Sequence, residues 1–227
     1  MRGAVSRVFV ATLFLAGAFC LFVSYPAPLA RADDRATELE LQGLDLYQHG
    51  DLNGAIEKFR QALAIKPNDR GIHTNLAQFL NDVGVAQYQK KDYAGAIVNI
   101  QEAVSLAPSF QKARGNLGMA QAAVLNNEGI ALYKVGNFEG AAEKYRQALA
   151  AAPSDPSSRV NLDLAETEIL TKSKDYAGAV AKLKDALSVT PASKIIQDRL
   201  VTAQTLLDAQ SKEDAEKAKD AKPNPSP

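Results

Sequence analysis

The side chains best suited to chemistry are few and far apart. His49 and His73 are the two histidines and Cys20 the one cysteine. None stands at the spacing of a metal-ligand cluster, so the histidines read as surface or edge residues. Asp163, Glu166 and Glu168 recur at helical spacing and read as a solvated helix face. The chain contains no HExxH, phosphate loop, GxSxG or dinucleotide fingerprint. What recurs in register is recognition chemistry. Tyr47, Tyr88 and Tyr133 each stand eight residues before the alanine of a Gly-Ala pair, and Thr171 takes that place in a fourth segment. Asn75, Asn116 and Asn161 each precede a leucine that follows a proline by nine positions. A ring with a polar tip and a side-chain amide both suit a peptide backbone. The expectation is a non-catalytic chain without cofactor, metal or small-molecule substrate.

The elements that carry these residues are repeated. "GDLNGAIEKFRQALAIKP" at 50–67 aligns without gaps with "KDYAGAIVNIQEAVSLAP" at 91–108, "GNFEGAAEKYRQALAAAP" at 136–153 and "KDYAGAVAKLKDALSVTP" at 174–191. Alanines at 55/62, 96/103, 141/148 and 179/186 share one helical face with Phe59, Ile100, Tyr145 and Leu183. Pro67, Pro108, Pro153 and Pro191 stop each helix, because proline lacks the N–H and clashes with the preceding turn. Asp or Asn before the aromatic offers a helix cap. Glycine at 54, 95, 140 and 178 weakens a helix by about 1 kcal/mol relative to alanine; a close backbone contact between helices would explain it, and so would inheritance from one duplicated unit. Another helical stretch precedes every copy. The first helix–turn–helix unit runs from Ala36 to Asp69.

This unit resembles the tetratricopeptide repeat family: large, small and aromatic residues, then Ala, a bulky residue, Ala and Pro. The resemblance covers residues 36–191. It implies an all-α, right-handed superhelical solenoid of four helix pairs with a C-terminal capping helix, whose concave wall of first helices binds a protein or peptide partner. It would place Tyr47, Tyr88 and Tyr133 on or beside that wall, the alternative being that they seal the core within each pair. Asn75, Asn116 and Asn161 would face the groove, or serve as local caps or surface amides. Some family members grip a terminal carboxylate with Lys, Arg and Asn; here Glu40 stands where the first such lysine is expected, so that clamp does not carry over.

The later units depart from the family length. Successive terminal prolines are 41, 45 and 38 residues apart, whereas the first unit is 34 long. Both flanks of each first helix keep their spacing, so the extra 7, 11 and 4 residues fall inside it. At 100° per residue these lengths rotate an apolar face by only about −20°, +20° and +40°. First helices lengthened by about one to three turns are therefore expected, rather than loops; a kink near Gly84 or Asn126-Asn127 is the alternative.

The ends obey other physics. Arg2 and Arg7, the apolar run Val8 to Val23 and Ala30-Arg31-Ala32 read as a signal peptide over 1–32, too short to span a bilayer comfortably; a retained anchor is the alternative. Removing it leaves no cysteine and 23 basic against 26 acidic residues, a balance of −3 that asks for neither nucleic acid nor an anionic membrane. The expected organisation is the signal peptide, repeats at 33–69, 70–110, 111–155 and 156–191, a capping helix at 192–213 and a disordered tail at 214–227. The expected role is a periplasmic or secreted adaptor that binds a protein partner. The alternative is a self-associating scaffold held at the membrane by an uncleaved N-terminal segment.

Overall fold

The computed structural model describes residues 28–220, and these form helices and short turns without strands. The nine helices among the described residues are α1 (Pro28–Gln48), α2 (Leu52–Ile65), α3 (Arg70–Gln89), α4 (Tyr93–Leu106), α5 (Gln111–Lys134), α6 (Phe138–Ala151), α7 (Pro156–Lys172), α8 (Tyr176–Val189) and α9 (Lys194–Asp220). Each packs on the next, giving four antiparallel pairs stacked as an all-α superhelical repeat. Successive first helices α3, α5 and α7 also touch one another, while the second helices stand further apart, bridged by long side chains such as Arg60 and Glu102. The stack therefore curves with its first helices on the inner side.

The second helices are uniform for a local reason. Each has 14 residues, begins after an Asp or Asn cap and stops just short of its terminal proline. The cap side chain accepts the amide of the glycine three residues on: Gly54, Gly95, Gly140 and Gly178, at 2.9–3.0 Å. That corrects the expectation of a close helix–helix contact at these glycines. A Cβ there would meet first the capping side chain. The turn before the cap requires a left-handed residue, supplied by Gly50 and Gly136 in two repeats and by Lys91 and Lys174, at φ 64° and 62°, in the others.

The core follows the repeated letters. Phe59, Ile100, Tyr145 and Leu183 are at most 2% exposed, as are the alanines that flank them. Sixteen residues before each bulky group stands Gly43, Gly84, Gly129 or Thr167 on the partner helix. A Cβ on Gly129 would lie 2.5 Å from the Tyr145 ring, and one on Gly43 would lie 2.6 Å from Phe59. Close approach at this point lets each pair bury its bulky residue. Burial pushes the Tyr145 hydroxyl up to about 12, with nearby Tyr133 adding to the rise.

First helices α3, α5 and α7 have 20, 24 and 17 residues, which is 13 plus the insertions of 7, 11 and 4. Each is continuous, through Gly84 in α3 and through Asn126-Asn127 in α5. The longest belongs to two cores. Ala113 and Ala120 pack with repeats one and two, whereas Ile130, Leu132 and Tyr133 pack with α6 and α7.

Two boundaries differ from the sequence expectation. α9 continues past 213 to Asp220, because residues 211–219, though exposed, are nearly all good helix formers such as Ala, Glu and Lys. α1 begins at Pro28 and runs through the expected cleavage point at Ala32. Most of the signal-peptide segment and residues 221–227 of the tail lie outside the described residues. Among the described residues no helix is long and apolar enough to cross a membrane.

Candidate functional site

Adjacent first helices are joined by a polar ladder. Tyr47 on α1 donates to Asp82 on α3 at 2.9 Å, Asn116 on α5 donates to Asn81 on α3 at 2.7 Å, Asn161 on α7 donates to Asn126 on α5 at 2.9 Å, and Tyr133 on α5 donates to Glu168 on α7 at 2.9 Å. Every one of these pairs is 35 residues apart. Arg199 on α9, at the place before the fourth junction leucine, Leu200, extends the ladder by donating to Tyr133 at 2.8 Å and to Glu168. Asn116 and Asn161, each just before a junction leucine, thus reach back to the previous first helix.

Four of the six residues singled out from the sequence are engaged in this way. Tyr47 also stacks on Phe79, ring centres 4.4 Å apart, and its hydroxyl is raised first by the bond to Asp82 and then by burial. Burial is the main cause of the rise at Tyr133. Asn75 forms no such amide pair among the described residues, since its counterpart 35 positions earlier is Glu40, a carboxyl raised by burial and by Asp69. Tyr88 is the exception on the other side. Its counterpart is Ala123, which offers its hydroxyl nothing to bond.

That gap in the ladder coincides with a change of register along α5. α3 pairs with α5 at residue 116, whereas α7 pairs with it at 126. Ten helical residues separate the two levels, a stagger of about 15 Å. The C-terminal end of α3 and the N-terminal end of α7 consequently meet over the middle of α5. Between them lies a cleft of about 460 Å³. Its floor is Met119, Ala122 and Ala123 of α5; Tyr88 and Tyr93, tilted at 58° with centres 5.3 Å apart, form one wall; Asp155 and Pro156 form the other. Met119 is 48% exposed. Asp155 caps α7, its Oδ2 accepting the Ser158 amide at 2.8 Å, and among the described residues it is the only charged one lining the cleft. Burial raises the Tyr88 hydroxyl, with Tyr93 and Asp155 adding to the effect. The arrangement offers aromatic and thioether surface, two helix-borne amides and one carboxylate. These groups bind; none is paired as a nucleophile with a base.

Sequence reasoning included Tyr88 but missed Tyr93, Met119 and Asp155. The available signal was the insertion length in α5: unequal insertions in successive first helices shift their levels, and a cleft opens where one helix ends and another begins.

On the outer side of α7, Arg146 and Lys182 hold Glu166 at 2.7 Å each. Burial raises Glu166, but these two hydrogen bonds outweigh it and leave the carboxyl below its ordinary value. Asp163, 4% exposed, is raised by burial, only partly countered by Lys182 at 3.7 Å. Only Glu168 of the three carboxylates joins the first-helix ladder. The reading of 163 and 166 as a solvated face is corrected: packing of α7 between α6 and α8 covers them.

Residues 43–81 match a family model described as TPR repeat, and residues 122–155 match one described as tetratricopeptide repeat. No curated protein matches the sequence. Similar solved structures include the Cut9-Hcn1 hetero-tetramer of the APC/C, at 23% identity over 74% of this chain and 29% of that one, with a TM-score of 0.32. The chain thus spans less than a third of that protein. A TPR repeats protein from Bacteroides fragilis is 16% identical over 75% of this chain and 98% of its own, with a TM-score of 0.43. The TPR2AB domain of yeast Sti1, solved in complex with pHSP90, is 17% identical over 79% and 87%, with a TM-score of 0.33. Residues 43–81 and 122–155 are thus similar to tetratricopeptide repeats, whose general use is protein–protein interaction.

Proposed function

We propose that the chain is an exported, non-catalytic adaptor of the cell envelope that binds an extended segment of a partner protein along its first-helix face, centred on the cleft over α5. The cleft is the observation that carries this reading. Along the ladder the polar groups of that face satisfy one another, and a ligand would have to break their bonds to gain new ones. Over Met119 and Ala123 it gains contact without that loss. The adaptor acts by holding its partner, and its side chains are arranged for contact and hydrogen bonding.

The test uses a partner identified by chemical crosslinking in intact cells. Its affinity is measured for the wild type, for Met119→Asp in the cleft and for Val98→Asp on the outer face of α4, where Val98 is 67% exposed. The expected result is a loss of about tenfold or more for Met119→Asp, the cost of placing a charge at an apolar contact, with no change for Val98→Asp. Equal behaviour of the two variants contradicts the reading.

A further inference from the structure

The cleft has a chemical counterpart in the chain's own last residues. We propose that it takes the segment 221–227, Ala-Lys-Pro-Asn-Pro-Ser-Pro, of a second copy of this protein. The inference rests on the reading of the cleft as a peptide site, and it commits that site to an occupant.

Charge and shape both match. The cleft presents a single carboxylate, Asp155, and the segment carries a single cation, Lys222. The other groups of the cleft are Tyr88, Tyr93, Met119 and small residues, a surface of the kind on which proline rings pack. Pro223, Pro225 and Pro227 alternate with Lys222, Asn224 and Ser226. A residue before proline is biased to extended backbone, so the entropy given up on docking is small. Proline also withholds its N–H, and the remaining carbonyls and amides have Asn126, Asn127 and the Tyr88 hydroxyl within the same cleft.

Distance makes the exchange intermolecular. α9 runs parallel to α7, as Arg199 meets Glu168 and, further along α9, Gln210 meets the carbonyl of Lys174 in the turn just past the end of α7. The cleft lies at the start of α7, and the 17 residues of that helix place Lys172 about 25 Å away. From Gln210 to Asp220, α9 continues in the same direction for about 15 Å more. Seven extended residues reach at most about 25 Å, against the roughly 40 Å required. Residues 211–219 are exposed throughout, so this last part of α9 projects beyond the stack, away from the cleft of its own chain and toward other molecules.

The test is a fluorescent peptide of residues 219–227 added to the full chain, read by anisotropy, together with sedimentation of the full chain across a concentration series. The peptide is expected to bind the wild type and to lose about tenfold in affinity with Met119→Asp or with alanine at both 223 and 225. Asp155→Asn keeps the cap on α7, since asparagine caps as well as aspartate. It and Lys222→Ala in the peptide should each weaken binding about threefold, and the pair together no more than either alone. The sedimenting species should shrink in the same variants. A peptide that does not bind, that binds Met119→Asp as well as wild type, or self-association that survives loss of the prolines overturns the proposal. A partner segment that still needs Met119 when the peptide fails leaves the adaptor reading standing; loss of both removes the adaptor reading too.

Discussion

The two layers of the stack are built to different tolerances. Its four second helices are each 14 residues long, with an Asp or Asn cap in the same geometry and the same glycine and terminal proline. First helices α3, α5 and α7 have 20, 24 and 17 residues and meet at shifted levels. Uniformity in the second layer keeps every bulky residue opposite its small partner, which is what stability requires. Variation in the first layer leaves that contact untouched and changes only the inner surface. A repeat protein can therefore alter what it binds without disturbing how it folds, provided each insertion is close to a whole number of turns.

The largest expected effect breaks the uniform layer. Phe59→Ala empties a fully buried site and should cost about 3–5 kcal/mol in chemical denaturation. Next, Gly129→Ala forces a methyl group against the Tyr145 ring and should cost about 1–3 kcal/mol, whereas Gly115→Ala, whose added methyl would meet nothing within 4 Å beyond its own stretch of helix, should be neutral or stabilising. Two repeats use a non-glycine residue at the left-handed turn position, so Lys91→Gly or Lys174→Gly should each stabilise by about 1 kcal/mol, visible as a rise in melting temperature. In the first layer, Tyr133→Phe removes a hydrogen bond between helices and should cost about 1 kcal/mol.

The smallest effect is a pH dependence, and it separates two carboxylates of α7. Asp163 is raised by burial, so its contribution favours the folded state at low pH and is lost as pH rises through its folded value. Glu166 is lowered, so its contribution is present above the ordinary carboxylate range and is lost as pH falls through its folded value. Asp163→Asn should accordingly raise stability at pH 7 more than at pH 4, and Glu166→Gln should lower it at pH 7 more than at pH 4. Thermal melts at the two pH values decide the matter; shifts of the same sign for both variants would contradict the assigned causes.

Much of the fold was legible because the second helix repeats as letters: Gly-Ala, a bulky residue, Ala, Pro. The length of the first helices was legible too, since Leu76, Leu117 and Leu162 hold one flank fixed and Tyr88, Tyr133 and Thr171 the other. What could not be read was how those longer helices meet. Asn116 and Asn161 were expected either in a groove or at local caps, and their true partners, Asn81 and Asn126, lie 35 positions back. Nothing in either residue's own neighbourhood announces that partner. The cleft was hidden for the same reason. It arises from the difference in level between α3 and α7, and only Tyr88, the tyrosine without a polar counterpart, marked its place.

If the inner, variable layer does the binding, photocrosslinking in intact cells reveals it most directly. A photoreactive amino acid is placed singly at Met119 and Ala123 in the cleft, and at Val98 and Gln147 on the second helices. One partner protein should be captured from positions 119 and 123 and not from 98 or 147. Capture from the second helices, with the cleft positions silent, would contradict binding by the inner layer.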